Sequence, residues 1–164
     1  MLAILYNIRS LHNVGSIFRT ADVAGISKIY LCGYTPAPVD KFGRKRWQIA
    51  KVSLGAEDYL EWEKVKSVTK LIKKLKAEKY KIFAIEQNKK SRPFNKIKLA
   101  QKEKTRVAIL VGAETKGLPK DILEKAEDCV HLFHSYNLRD SRDGMGLFRS
   151  YLYWNCFCDG VYDS

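Results

Sequence analysis

Val107-Ala108-Ile109-Leu110-Val111 is apolar at every position, and a strand with no polar face has to be covered on both sides. This run predicts the central strand of a sheet sandwiched between helices. Other short runs fit the same sheet: Leu2-Ala3-Ile4-Leu5-Tyr6, ending at polar Asn7; Lys28 to Gly33, broken by Thr35-Pro36-Ala37-Pro38; Ile82 to Ile85; and Cys129-Val130-His131-Leu132-Phe133. Between them the period changes. Val14, Ile17, Phe18, Ala21 and Ala24 recur at helical spacing, with Asn13 able to cap the start and Gly25 able to end it. Val65, Val68, Leu71, Ile72 and Leu75 mark an amphipathic helix whose other face is lysine, and Pro119 to Ala126 reads as a short helix with Pro in its first turn. Strands alternating with helices predict the α/β class: a mostly parallel sheet with helices on both faces. Ligands in such folds sit at the carboxyl ends of the strands, so the segments after Tyr6, Val111 and Phe133 are the places to look. With no internal repeat, low-complexity tract or Gly/Ser linker, residues 1–164 are read as one domain.

Charge narrows the class of partner. Thirty Lys and Arg against eighteen Asp and Glu give a net charge of +12, a surplus that favours a polyanion, most often nucleic acid. The alternative is a lysine-rich surface that serves solubility. Apolar residues make up 46% of the chain, but no run approaches the roughly 20 residues of a bilayer span. Membrane insertion is therefore not expected. The start lacks a basic region and a small-residue cleavage site, so no secretory signal is expected either. Cys32, Cys129, Cys156 and Cys158 lack paired CxxC spacing, which argues against a zinc site or disulfide scaffold. A reducing, cytoplasmic compartment is the expectation.

Three constellations can carry chemistry. In the first, Asn7 to Asp22, the residues Gly15, Arg19 and Asp22 form a helical stripe apart from the apolar one. Gly15 leaves room for something bulky, and Arg19 offers a forked cation beside it, suited to phosphate or ribose. A surface Arg paired to Asp22 is the simpler alternative. The second is Val111-Gly112-Ala113-Glu114-Thr115-Lys116-Gly117-Leu118-Pro119, directly after the central strand. Its glycines let backbone amides close round a small ligand. It is not a phosphate-binding P-loop, because Leu118 and Pro119 stand where Lys and Ser/Thr are needed, and Glu114 would repel a triphosphate. A plain strand-to-helix turn is the alternative. The third is Arg44-Lys45-Arg46-Trp47, with Lys41 and Lys51 nearby, where bases can stack on Trp47 while cations hold phosphates. A solvated loop with a half-buried Trp explains it equally well.

Taken together, the motifs resemble those of the SpoU/TrmH RNA 2′-O-ribose methyltransferases, of the trefoil-knotted SPOUT superfamily. Asn7 to Asp22 resembles the first motif, with Asn13-Val14-Gly15 and Arg19-Thr20 in place, and Lys51-Val52-Ser53-Leu54-Gly55-Ala56-Glu57 resembles the Ser-x-Gly-Ala segment. Leu110 to Leu118 resembles the second motif, and the likeness runs in order from the first residue to about Phe133. The resemblance implies S-adenosylmethionine as cofactor, cradled by Val111, Gly112, Ala113, Glu114, Gly117 and Leu118 and by the loop at Leu132 and Phe133. It implies in-line methyl transfer to a ribose 2′-oxygen of tRNA or rRNA, with no metal. Arg19, Asn13 and Glu114 correspond to the catalytic set. Because a guanidinium stays charged, Arg19 is read as positioning ribose or phosphate, Asn13 as orienting substrate or Arg19, and Glu114 as bonding within the loop. RNA is expected to meet Arg9, Arg19, Arg44, Lys45, Arg46 and Trp47. The resemblance also implies a homodimer, and no RNA-binding extension is expected ahead of the first motif.

After Phe133 the pattern departs. The family's third motif needs a small-residue turn and an apolar helix; the chain reads His134-Ser135-Tyr136-Asn137-Leu138-Arg139-Asp140 and then aromatics without a clean period. Residues 134–164 stand as either a divergent tail or a tail read in a shifted frame. Moving Gly146 to Cys156 forward one base permits Val-Ser-Ser-Val-Ala-Ile-Tyr-Ile-Gly-Ile-Ala, its Gly forced by the codons of Trp154 and Asn155. The knot segment is atypical on either reading, and incomplete on the second. An uninterrupted gene sequence matching residues 134 to 164 would sink the frame-shift reading. Cys129, His131 and His134 could suggest a metal cluster, but alternation along a strand end accounts for the first two. The rival function is a catalytically silent RNA-binding relic of the same fold. A generic nucleotide-binding enzyme is disfavoured by the missing P-loop and missing Gly-x-Gly-x-x-Gly fingerprint.

Overall fold

The computed structural model describes residues 1–86, 91–93 and 106–131. Among the described residues seven strands form one sheet: β1 (Leu2–Tyr6), β2 (Lys28–Cys32), β3 (Glu61–Val65), β4 (Lys81–Ile85), β5 (Arg92–Pro93), β6 (Val107–Val111) and β7 (Asp128–His131). Their order is β3-β2-β1-β6-β4-β7-β5, and every neighbouring pair is parallel. The all-apolar run is β6, fourth of the seven and buried at all five positions. Between the strands lie α1 (Leu11–Val23), α2 (Trp47–Ser53), α3 (Ala56–Tyr59), α4 (Val68–Ala77) and α5 (Lys120–Leu123).

Alternation along the strands divides the core. Ala3 and Leu5 of β1, with Ile109 and Val111 of β6, pack under Val14 and Phe18 of α1 and Ile49 of α2. Leu2 and Ile4, with Ala108 and Leu110, face Leu71, Ile72 and Leu75 of α4 and Ile122 of α5. Helices therefore cover both faces, as an apolar central strand requires.

Local details differ from the sequence reading for identifiable reasons. The cap of α1 is Ser10, whose hydroxyl accepts from Asn13 N–H at 3.2 Å. The amide side chain of Asn13 is thereby left for another partner. Gly25 follows the helix at φ +63°, the left-handed conformation that ends helices. Val65 belongs to β3 and not to the lysine-faced helix, which starts behind the Ser67 cap. Pro119 is the cap of α5, and regular helix stops at Leu123. Leu132, Phe133 and the atypical tail, with whatever knot closure it makes, lie outside the described residues. Among the described residues no helix is long and apolar enough to cross a membrane.

Candidate active site and basic loop

The strand order sets the location. From β1 the chain proceeds outward through β2 and β3, whereas β6 and its neighbours lie on the other side. The boundary between β1 and β6 is a topological switch point, where loops leaving adjacent carboxyl ends part and leave a crevice. The first and second motifs leave from those two strands.

Glu114 joins them. Its Oε2 accepts from Arg9 N–H at 3.3 Å, and its Oε1 accepts from Ser10 N–H at 3.3 Å and from Asn13 Nδ2 at 3.0 Å. A carboxylate at the start of α1 also meets the positive end of the helix dipole. Asn13 and Glu114 are thus brought together across the switch point, and the bond Asn13 makes is to Glu114. Both oxygens of Glu114 are committed, which makes it a clasp between the 112–118 loop and α1.

That loop is close-packed on itself. Gly117 N–H donates to the Ala113 carbonyl at 2.8 Å. A Cβ on Gly112 would stand 2.7 Å from the Gly117 carbonyl carbon and 2.7 Å from Leu118 Cγ. Gly117 has φ +60°, and a Cβ there would meet the Glu86 carboxylate. Glu86, at the end of β4, accepts from Leu118 N–H at 2.8 Å. Val111 and Leu118 send their side chains into the two cores, and Ala113 is also buried. What the loop can present to a ligand is backbone and the exposed Thr115 and Lys116 side chains, with Glu86 and Glu114 on its flanks. Sequence reasoning missed Glu86; the available signal was its position at the carboxyl end of a strand beside the central one.

The first motif is braced from the other side. Asn7 is left-handed at φ 59°, a conformation Asn tolerates. Its Oδ1 accepts from Tyr34 N–H at 3.2 Å, occupying the space a Cβ on Gly33 would fill. The buried Thr35 hydroxyl accepts from Ile8 N–H at 3.1 Å and donates to the Leu5 carbonyl at 3.0 Å. Lys64 Nζ donates to the Gly33 carbonyl at 2.7 Å and to that of Thr35. Burial holds the Lys64 ammonium below its usual pKa and pushes the neighbouring Cys32 thiol up to about 12, so Cys32 stays protonated and inert. Thr35 and Lys64 carried no motif in the sequence; their role comes from a three-strand contact.

Arg19 is exposed on α1, and among the described residues its guanidinium has no ion pair or hydrogen bond, including none to Asp22. Gly15, one turn earlier, has a neighbour already. A Cβ there would lie 2.7 Å from the Ile49 carbonyl oxygen and 3.0 Å from Val52 Cβ. The bulky object Gly15 admits is the backbone of α2. The Ser53-to-Glu57 segment ends α2 through left-handed Leu54 and Gly55, with the buried Ser53 hydroxyl bonded to the buried Glu57 carboxylate. This segment fixes the α2–α3 corner that packs on α1.

The basic loop after β2 faces outward. Val39 and Lys45 form an antiparallel bridge. Arg44 pairs with Asp40 at 2.9 Å and Lys45 with Asp58 at 2.6 Å, exposed pairs of small energetic weight. Arg46 makes no ion pair among the described residues, and its buried Nε lacks an acceptor. Trp47, the first residue of α2, is 64% exposed. Among the described residues no group of three or more His, Cys, Asp or Glu could hold a metal ion.

Comparison with known proteins identifies the class and then the family. The fold is that of SpoU-type methyltransferases. The AdoMet-bound SpoU methyltransferase AviRb of Streptomyces viridochromogenes superposes with a TM-score of 0.79 over 100% of this chain and 61% of that one, at 15% identity. An AdoMet-bound rRNA methyltransferase of Sinorhizobium meliloti gives 0.76 over 98% of this chain and 54% of that one, at 21% identity. Residues 1–139 match the SpoU rRNA Methylase family, and the chain belongs to it. Over 132 residues it is 26% identical to the 23S rRNA (guanosine-2′-O-)-methyltransferase RlmB of Blochmanniella floridana, covering 80% of this chain and 48% of that protein. The chain thus spans about half the length of that curated relative.

Proposed function

We propose that this chain is the methyltransferase unit of an S-adenosylmethionine-dependent enzyme that methylates a ribose 2′-oxygen of RNA, with rRNA favoured over tRNA by the named relative. The observation that carries the reading is the Glu114 clasp, which joins the two motifs at the switch point. The described part of the pocket fits the cofactor in chemistry. The loop offers backbone groups between two carboxylates and no cation cluster, which suits a cationic nucleoside better than a polyphosphate. When bound, S-adenosylmethionine supplies a methyl group on a positively charged sulfur.

The protein's contribution is alignment. Glu114 and Asn13 hold the loop in register with α1, and Glu86 shapes its far end. Arg19 is free of carboxylate partners among the described residues, so its guanidinium is available to clamp the ribose or an adjacent phosphate. Holding nucleophile and electrophile in line is where such a site gains most of its rate. The reading includes a homodimer, as the family resemblance implies, and a cytoplasmic location, as the unpaired cysteine spacing suggests. Transfer of labelled methyl from S-adenosylmethionine to rRNA, located by resistance of the modified linkage to alkali, tests it. Label recovered on a base instead of a ribose contradicts it.

A further inference from the structure

The loop after β2 contains a feature that charge alone does not require. Phe42 is 69% exposed at the tip of the 39–45 hairpin, and the hairpin is built to keep it there. Asp40 Oδ1 accepts from Phe42 N–H at 2.8 Å and from Arg44 N–H at 3.0 Å, while Oδ2 takes the Arg44 Nε–H at 2.9 Å. Asp40 N–H donates to the Arg44 carbonyl at 2.8 Å, and Gly43 N–H to the Asp40 carbonyl at 3.1 Å. Gly43 turns the tip at φ +79°, with no atom within 4 Å of where a Cβ would stand. The tip projects into open space.

We propose that Phe42 is a stacking platform for an unpaired base of the RNA substrate; this rests on the RNA-acting reading above. Lys41 Nζ and the Arg44 guanidinium lie 4.9 and 5.0 Å from the ring centroid. The two cations lie over the ring and still leave it mostly exposed; an exposed aromatic with cations against it matches a nucleotide, which offers a π-face to the ring and phosphates to the charges. An apolar protein surface would instead have to desolvate both cations. A second copy docked tip to tip would set Lys41 and Arg44 against their own counterparts, like charge to like. The hairpin leaves the same edge of the sheet as the clasp, and Tyr34 and Thr35 at its root are bonded to Asn7, Ile8 and Leu5 of the first motif. A base held at Phe42 is therefore tethered on the active-site side.

The test is the affinity of the full chain for a short unstructured RNA oligonucleotide, measured by fluorescence anisotropy over a range of salt. Phe42→Ala is expected to weaken binding about tenfold with the salt slope unchanged, and Phe42→Trp to retain it. Lys41→Ala should lower the slope by about one. Tyr59→Ala, which removes an aromatic 87% exposed outside the hairpin, should change nothing. Equal binding by Phe42→Ala and the unaltered chain overturns the inference, as does an equal loss from Tyr59→Ala. A change of oligomeric state in Phe42→Ala, seen by sedimentation, also overturns it and assigns the ring to a second copy. Failure of the unaltered chain to bind RNA contradicts the proposed function itself, an outcome distinct from these.

Discussion

Two loops leave the same edge of the sheet and are built on opposite principles. The 112–118 loop after β6 turns inward: its glycines are hemmed in by backbone and carboxylate, its apolar side chains enter the cores, and Glu114 ties it to α1. The 33–46 loop after β2 turns outward at its tip, with open space where a Cβ on Gly43 would stand and Phe42 exposed beside Lys41 and Arg44. On the proposed function the first loop is the cofactor cradle, in which small displacements matter, and the second is the surface that meets a large, charged, variable partner. Positional accuracy and reach are thus assigned to different strands of one sheet.

The largest expected effect separates chemistry from both loops. Arg19→Ala should lower methyl transfer by a factor on the order of 100 or more, the scale of lost alignment, and leave S-adenosylmethionine affinity nearly unchanged in a calorimetric titration. Next is the contrast between glycines. Gly112→Ala forces a Cβ to 2.7 Å from the Gly117 carbonyl carbon and should cost about 1–3 kcal/mol of stability by denaturant titration. Gly43→Ala meets nothing but its own positive φ and should cost about 1 kcal/mol. Equal losses would erase the distinction between the loops. Glu114→Gln turns an acceptor of three hydrogen bonds into a group with two donors of its own. It should raise the Kd for cofactor several-fold, while oligonucleotide affinity stays put.

The smallest effect is one of pH. Hydrogen bonds from Arg44 and Phe42 hold the Asp40 carboxyl below its ordinary pKa. The folded pKa is depressed, so the carboxylate's contribution to the hairpin is complete above the unfolded value and is lost as pH falls through the folded one. Amide resonances of Phe42 and Arg44, the groups bonded to Asp40, should therefore shift only below the usual carboxylate range.

How much of this was legible depended on where each residue's partners lie. The central strand and the apolar stripe of α1 can be read locally, because burial on both faces leaves a continuous run and burial on one leaves a period. β3 escaped notice because Glu-Trp-Glu-Lys-Val is an edge strand, where charge is tolerated and discourages further pairing. α2 fully buries just Ile49 and Ser53, too few for a period to show. Asn13 looks like a cap until Ser10 takes that place, and Gly15 looks like room for a ligand until Ile49 occupies the space. Glu86, Thr35 and Lys64 act on chain segments some thirty residues away in sequence, which no motif announces. The motifs pointed to loops at the carboxyl ends of β1 and β6; how those loops are held required the fold.

The most direct test of the central claim is a calorimetric titration of S-adenosylmethionine into the 164-residue chain. Saturable binding in the micromolar range, weakened by Glu114→Gln and indifferent to Phe42→Ala, is the predicted result. A folded chain that gives no heat with the cofactor at millimolar concentration would contradict the assignment of the 112–118 loop as its cradle.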